Sequence, residues 1–498
     1  MIPVVPIPRH LEERDGSCRL ADAVVRSEGV AADVVDRARR LLRGSEPGDA
    51  ATFSGGTAAV VSLHQEEDVG EAYVLTVDRE GARLQGGRRG LHQALATLHQ
   101  LILLYDYVVP CLRIEDEPRF PWRGVHLDVC RHMFSTPFVC KLLDMMAVYH
   151  LNTFHWHLTE DQGWRIEVEG YPELTRTGAW RTDQGGGRYG GYYTAEDVIR
   201  VVKHAAGLGI EVVPEVEMPG HAQALIASYP HLGCTGRSVA VRTEWGISRE
   251  VLCAGNEEVY GALEGILERV LEMFPSRYVH VGGDECPKDR WRQCGRCQER
   301  MRREGLANEE ELQSYFIRRI GSFLKSRGRR LVGWDEILEG GLAPGAVVMS
   351  WRGMQGGVAA ARQGHEVVMT PSNPCYLNMR QAAYQAEPGV LRSGAPVVDL
   401  ETVYRWDPVS AELDEDAASH VIGGQACMWT ERVSQEAVVE YLFQPRLAAL
   451  AEVLWSPLEH RSWDGFSDRM RAHGAVLTGV GWGYRRSPEL DWSERAPT

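Results

Sequence analysis

Residues 257–285, EEVYGALEGILERVLEMFPSRYVHVGGDE, carry the alternation that decides the fold. An amphipathic helical stretch over 257–273 runs through a short turn into an apolar strand over 278–285. That strand ends on an acidic pair, Asp284-Glu285. The same unit recurs outward in both directions. Apolar strands are predicted at 123–129, 153–158, 209–217, 278–285, 330–336, 346–352, 366–372 and 421–429. Helices are predicted between most of them, at 136–150, 194–208, 257–273, 309–327 and 435–454. Eight buried strands separated by helices imply a parallel sheet, and the count of eight favours a closed (β/α)8 TIM barrel over an open doubly wound sheet. No glycine-rich dinucleotide fingerprint opens any helix, which also counts against the open sheet.

The flanks read differently. In residues 71–87, EAYVLTVDREGARLQGG, a period-two pattern with a turn at Glu80-Gly81 predicts a β-hairpin. Residues 90–107, GLHQALATLHQLILLYDY, follow at helical spacing. Residues 1–117 are therefore expected to form a small non-catalytic domain of helix and strand. The charged, proline-containing segment RIEDEPRFPWRG (113–124) marks its boundary. The barrel is assigned to 118–460, and the short polar stretch 461–498 is expected to be a C-terminal extension.

Composition narrows the function classes. The 498 residues hold 54 basic and 69 acidic side chains, a formal charge of −15, so attraction to a phosphate backbone is not expected and no nucleic-acid partner is predicted. No window approaches the ~20 apolar residues that span a bilayer. The first residues, MIPVVPIPRH, lack a basic start and an unbroken apolar core, so they do not read as a signal peptide. Eleven dispersed cysteines, several inside apolar runs, suit buried thiols in a reducing compartment. A cytoplasmic, non-membrane enzyme is the expectation, and the sequence does not fix its oligomeric state.

In a TIM barrel the chemistry sits at the C-terminal ends of the strands. Those ends carry Asp128, Arg131 and His132, then His155, His157, Glu160 and Asp161, then Glu215, Glu217 and His221. Asp284-Glu285, Trp334, Asp335, Glu336, Trp351, Tyr376, Asn378, Trp429 and Glu431 follow. Carboxylates, a few cations and several tryptophans are what a neutral sugar requires. Aromatic faces stack on its CH surface, charged groups bind its hydroxyls, and carboxylates supply acid and base. Adjacent residues on a strand point to opposite faces, so Asp284 and Glu285 cannot face each other across a bond. At a strand end both can still reach one substrate in different roles. That geometry suits a substrate that supplies its own nucleophile.

The motifs RGVHLDVCRHMFS, NTFHWHLTEDQGWRIE, PEVEMPGHAQA, HVGGDECPKDRW, GWDEI, SWRG, CYLN and GGQACMWTE resemble, in order and spacing, the β-N-acetylhexosaminidases of glycoside hydrolase family 20. The resemblance covers residues 118–460, and the preceding unit is similar to that family's non-catalytic domain. It implies exo-acting, retaining, substrate-assisted cleavage of terminal β-linked N-acetylglucosamine or N-acetylgalactosamine through an oxazolinium intermediate, with no cofactor and no metal. On this chain it implies Glu285 as general acid/base and Asp284 as the residue orienting the acetamido N–H. Tyr376 would bond the acetamido oxygen, and Trp334, Trp351 and Trp429 would wall the pocket. Arg131, Glu160, Asp161 and Glu431 would hold outer hydroxyls, with His221 and Glu217 behind the acidic pair. Three positions depart from the commonest pattern: Glu160 and Glu217 stand where many relatives have Asp, and Asn378 where several bacterial ones do.

Two alternatives stay open on the sequence. His155-x-His157 places two imidazoles on one strand face, as in metal-dependent barrel hydrolases, although strands five and six end in Trp rather than in further ligands. A non-catalytic sugar-binding protein is the other, against which the retained Asp284 and Glu285 argue. Cys286, Cys294 and Cys297 form a C-x7-C-x2-C group with no obvious fourth ligand, so a packed loop, or a disulfide if oxidised, is expected there.

Overall fold

The computed structural model describes residues 2–43, 58–67, 70–183, 185–383, 387–390 and 396–492. Eight parallel strands close into a barrel in chain order: Trp122–Asp128, Thr153–His157, Glu211–Glu215, Tyr278–His280, Arg330–Trp334, Val347–Ser350, Val367–Met369 and Val421–Met428. The register runs from Glu211 opposite Thr153 to Glu215 opposite His157, and closure pairs Gly423–Met428 with Trp122–Leu127. Alternation along the second strand sends His155 and His157 into the barrel, while Phe154 and Trp156 join the hydrophobic layer under the helices. The barrel interior is a packed core of Trp122, Val213, Val332, Val347, Met349 and Val368, as this fold demands.

Helices form where the sequence predicts them. Glu257–Met273 starts at Asn256, whose side chain accepts from the Glu258 N–H, with Glu257 and Glu258 opposing the positive helix end. Two elements depart clearly from expectation, and the tail carries more structure than the sequence reading specifies. The fourth strand stops at His280 rather than 285, because Gly282 (φ 66°), Gly283 (φ 89°) and Glu285 (φ 44°) adopt left-handed backbone and leave the pleat. The stretch 435–454 is two helices, Glu436–Phe443 and Arg446–Trp455, because Pro445 lacks the N–H that would continue the first. The tail also folds, into helices Trp463–Met470 and His473–Gly479. Its second helix lies against Arg88–Leu104, where a side chain at Gly479 would collide with Leu103.

The described residues before 118 include a six-stranded sheet, with the hairpin Tyr73–Asp78/Gly81–Gly86 at its centre and the helix Arg88–Leu104 behind it. Buried polar bonds join it to the barrel. Glu71 pairs with the fully buried Arg123 at 2.7 Å, and the Trp455 indole N–H donates to Asp116 at 2.8 Å. His473 Nε2 lies 2.7 Å from the Pro3 carbonyl oxygen, tying the tail to the start of the chain. Among the described residues no helix is long and apolar enough to cross a membrane.

Candidate active site

At the C-terminal mouth of the barrel a cavity of about 220 Å³ is lined by Arg131, His221, Asp284, Glu285, Trp351, Tyr376, Asn378, Met379, Trp429 and Glu431. Nine of these ten were expected from the sequence, and only Met379 was not. The volume lies below the ~300 Å³ at which drug-sized pockets begin, so it suits one sugar ring rather than an extended chain. A larger groove of about 460 Å³, lined by Tyr73, Glu115 and Asp116 among others, lies on the N-terminal domain away from this mouth.

The turn after the fourth strand places the acidic pair. A Cβ on Gly282 would stand 1.6 Å from a Glu217 oxygen, so only glycine lets this backbone cross the Glu217 carboxylate. Beyond it the left-handed Glu285 swings its side chain into the cavity beside Asp284. The two carboxylates therefore share one pocket although they are adjacent in sequence. Asp284 is buried, its Oδ1 has no hydrogen-bond partner, and the residue lines the cavity. Burial pushes its carboxyl up to about 7, against the pull of the nearby His221.

His221 links this pair to the buried acids behind it. Its Nε2 lies 3.4 Å from Glu285 and 3.6 Å from Asp284, while Nδ1 lies 2.7 Å from Glu160 and 3.5 Å from Asp161. Burial opposes charge on this ring, but Glu160 and Asp284 outweigh it and hold the imidazole well above its usual range. Glu160 also takes Arg131 at 3.0 Å, and Arg131 binds Asp128 at 3.2 Å and lies over the Trp429 ring at 5.1 Å. Glu217 stays buried, its carboxyl pushed well up by burial and then by Asp284.

Trp351, Tyr376 and Trp429 form the aromatic wall. Trp351 and Tyr376 stack with planes 15° apart, and Trp429 stands 6.2 Å from Tyr376. Trp334 does not line the cavity, contrary to expectation. It is 1% exposed beneath Trp429, and its indole N–H donates to Glu215 at 2.9 Å. Trp334 pairs with Met349, two positions short of Trp351, so it sits one inward-facing position deeper in the barrel than Trp351. Glu160 and Asp161 also sit below the surface of the cavity. Asp161 accepts the backbone N–H groups of Gln223 and Ser248, so these two acids fix Arg131, His221 and the loop after the third strand.

The His155-x-His157 pair belongs to a sealed layer under the pocket. His155, His157 and His280 surround Glu215, with His155 at 3.0 Å, His280 at 2.8 Å and His157 in close contact. Burial opposes charge on His157, yet Glu215 and Glu160 hold it up to about 10. Every one of these side chains is fully buried, so the layer supports the floor of the site rather than offering an open coordination position to substrate.

Sequence reasoning gave Glu336 and Trp245 no role. Glu336 accepts from the Trp351 indole N–H at 2.9 Å, and burial followed by Asp284 pushes its carboxyl up to about 9. Trp245 borders a neighbouring cleft shared with Asn378, Trp429 and Glu431. Glu336 stood among the strand-end acids, but Trp245 lies in an irregular loop with no periodic signal. Cys286 does not join Cys294 and Cys297 either; it packs against Gly220 beside the acidic pair.

A (β/α)8 barrel whose mouth holds paired carboxylates under aromatic walls defines a glycoside hydrolase. Residues 120–458 match the glycosyl hydrolase family 20 catalytic domain, and residues 1–117 match domain 2 of the same family. The chain belongs to glycosyl hydrolase family 20. It is 41% identical to a beta-hexosaminidase of Porphyromonas gingivalis over 94% of this chain and 62% of that one. With a beta-N-acetylhexosaminidase of Cellulomonas fimi it shares 33% identity over 99% and 97% of the two chains. Among solved structures, the family 20 exo beta-N-acetylglucosaminidase of Vibrio harveyi in complex with N-acetylglucosamine aligns at a TM-score of 0.85. Identity there is 31%, over 98% of this chain and 78% of that one.

Proposed function

We propose that this protein is an exo-acting, retaining β-N-acetylhexosaminidase that removes terminal β-linked N-acetylglucosamine or N-acetylgalactosamine by substrate-assisted catalysis. The observation that carries the proposal is Asp284, buried with an unpartnered Oδ1 and lining a single-ring cavity beside Glu285. An acetamido N–H meets the Asp284 carboxylate, and the acetamido methyl meets the Trp351–Tyr376–Trp429 wall.

In the first step the Glu285 carboxyl gives its proton to the leaving glycosidic oxygen, and the substrate's acetamido oxygen attacks the anomeric carbon. The oxazolinium ring that forms carries positive charge on nitrogen, which the Asp284 carboxylate stabilises more in the transition state than in the ground state. In the second step the Glu285 carboxylate takes a proton from water as that water opens the ring from the same face, so configuration is retained. Tyr376 holds the acetamido oxygen, while Arg131, Asn378 and Glu431 bind hydroxyls. Trp334, Glu160 and Asp161 act from beneath as positioning residues.

The test compares aryl glycosides that differ only at C2. Turnover of the 2-acetamido compound and negligible turnover of the 2-hydroxyl compound is the expected result. Equal turnover, or a glycosyl adduct trapped on any Asp or Glu, returns the enzyme to the two-carboxylate class.

A further inference from the structure

Four cysteines from three separate segments meet about the loops that follow the third and fourth strands. Cys234 follows a short helical turn, Cys253 lies in the next loop, and Cys294 and Cys297 sit at and just inside the start of helix Gly295–Glu304. Their sulfurs all lie within 4.8 Å of one another, with Cys253 at 3.7 Å from both Cys294 and Cys297 and Cys234 at 3.9 Å from Cys297. Cys253, Cys294 and Cys297 are buried. None of the four is in a disulfide.

The geometry points to a structural zinc site formed by Cys234, Cys253, Cys294 and Cys297. A tetrahedral ion with Zn–S bonds of ~2.3 Å places its sulfurs about 3.8 Å apart, and three of the sulfur pairs here are 3.7–3.9 Å apart. The surrounding backbone is built for this approach. The Cys253 N–H donates to the Leu232 carbonyl at 2.9 Å, and Gly233 bridges Leu252, so the first two ligand loops are held side by side. A Cβ on Gly255 would stand 2.2 Å from the Arg296 carbonyl, so only glycine lets the Cys253 loop close on the Cys294-x2-Cys297 turn. The buried Trp291 indole N–H fastens the same loop by donating to the Leu252 carbonyl at 2.9 Å.

Binding converts four thiols to thiolates, with their protons released to solvent, and leaves a complex of charge −2. The start of a ten-residue helix at Cys294–Cys297 and the Arg296 side chain, which donates to the Gly233 carbonyl, place positive potential beside it. Four protein ligands close the coordination sphere, so the ion takes no part in bond cleavage. It pins the segment carrying His221 and Trp245 to the segment carrying Asp284 and Glu285. Cys294-x2-Cys297 is visible in the sequence, but its partners are 41 and 60 positions upstream of Cys294, too far for a spacing rule to connect.

The test uses tag-free full-length protein purified under reducing conditions without chelator. Elemental analysis is expected to find about one zinc per chain, and zinc-edge X-ray absorption about four sulfur neighbours at ~2.3 Å. Titration of the unaltered protein with an organomercurial is expected to release zinc in step with modification of four thiols, and a strong chelator is expected to lower Tm. The paired variant Cys294→Ala/Cys297→Ala is expected to lose the metal. Zinc below about a tenth of an equivalent, nitrogen or oxygen neighbours in place of sulfur, iron in its stead, or an intact mass showing two disulfides would overturn the assignment.

Discussion

Asp284→Asn separates the substrate-assisted reading from its rivals. The substitution keeps shape but replaces the unpartnered carboxylate oxygen with a neutral amide that cannot stabilise a developing positive charge. Removing a preorganised group of this kind costs ~10²–10³ in kcat, about 2.7–4 kcal/mol, because the interaction strengthens only as charge develops. In the ground state the acetamido N–H is neutral and the Asn side-chain oxygen can still accept it, so only the extra strength of a charged acceptor is lost, ~1–1.5 kcal/mol, and KM should rise at most about tenfold. The assay is steady-state hydrolysis of an aryl 2-acetamido-β-glucoside. The pH profile supplies a second arm. The folded Asp284 carboxyl is pushed up to about 7, and the active form is the carboxylate, so kcat/KM of the wild type falls as pH drops below about 7. That limb should flatten in the variant. Stability moves the other way. A raised folded pKa means that the ionised residue opposes folding above pH 7, a penalty absent once pH falls below its unfolded value near 4. The variant should therefore melt no lower than wild type at pH 8. A large rise in KM with unchanged kcat would refute the reasoning.

Three further outcomes are expected. Glu285→Gln should lower kcat by ~10²–10⁴ on a poor leaving group and much less on an activated phenol, which needs little protonation; equal losses on both would remove Glu285 as the acid. Trp429→Ala should raise KM by the equivalent of ~1–3 kcal/mol while the protein stays soluble, and collapse of the fold would instead mark Trp429 as core. Glu71→Ala leaves the fully buried Arg123 without its 2.7 Å partner, so chemical denaturation should show a loss of ~3–5 kcal/mol with little change in kcat; an unchanged midpoint would show that this pair does not hold the two domains together.

The sequence by itself determined the barrel, its strand order and the residues at its mouth, because each of those signals is local. Period-two apolar runs fall on strands such as Thr153–His157, and the inward pairing of His155 with His157 follows from pleat geometry alone. Asp284-Glu285 was legible for the same reason, as an acidic pair set after Gly282-Gly283 at a strand end. Depth and long-range closure were not legible. Trp334 is the last residue of its strand and Trp351 the first beyond its own, and the register pairs Trp334 with Met349, two positions short of Trp351, which leaves Trp334 on Glu215 below the floor and Trp351 in the wall. Glu160 and Asp161 likewise lie covered against His221, since only packing sets which acid is buried. The second tail helix was not legible because its partners, Leu103 against Gly479 and the Pro3 carbonyl against His473, lie hundreds of residues away. Only tertiary structure could gather Cys234, Cys253, Cys294 and Cys297, because that contact arises from two barrel loops folding onto each other and leaves no period in the chain.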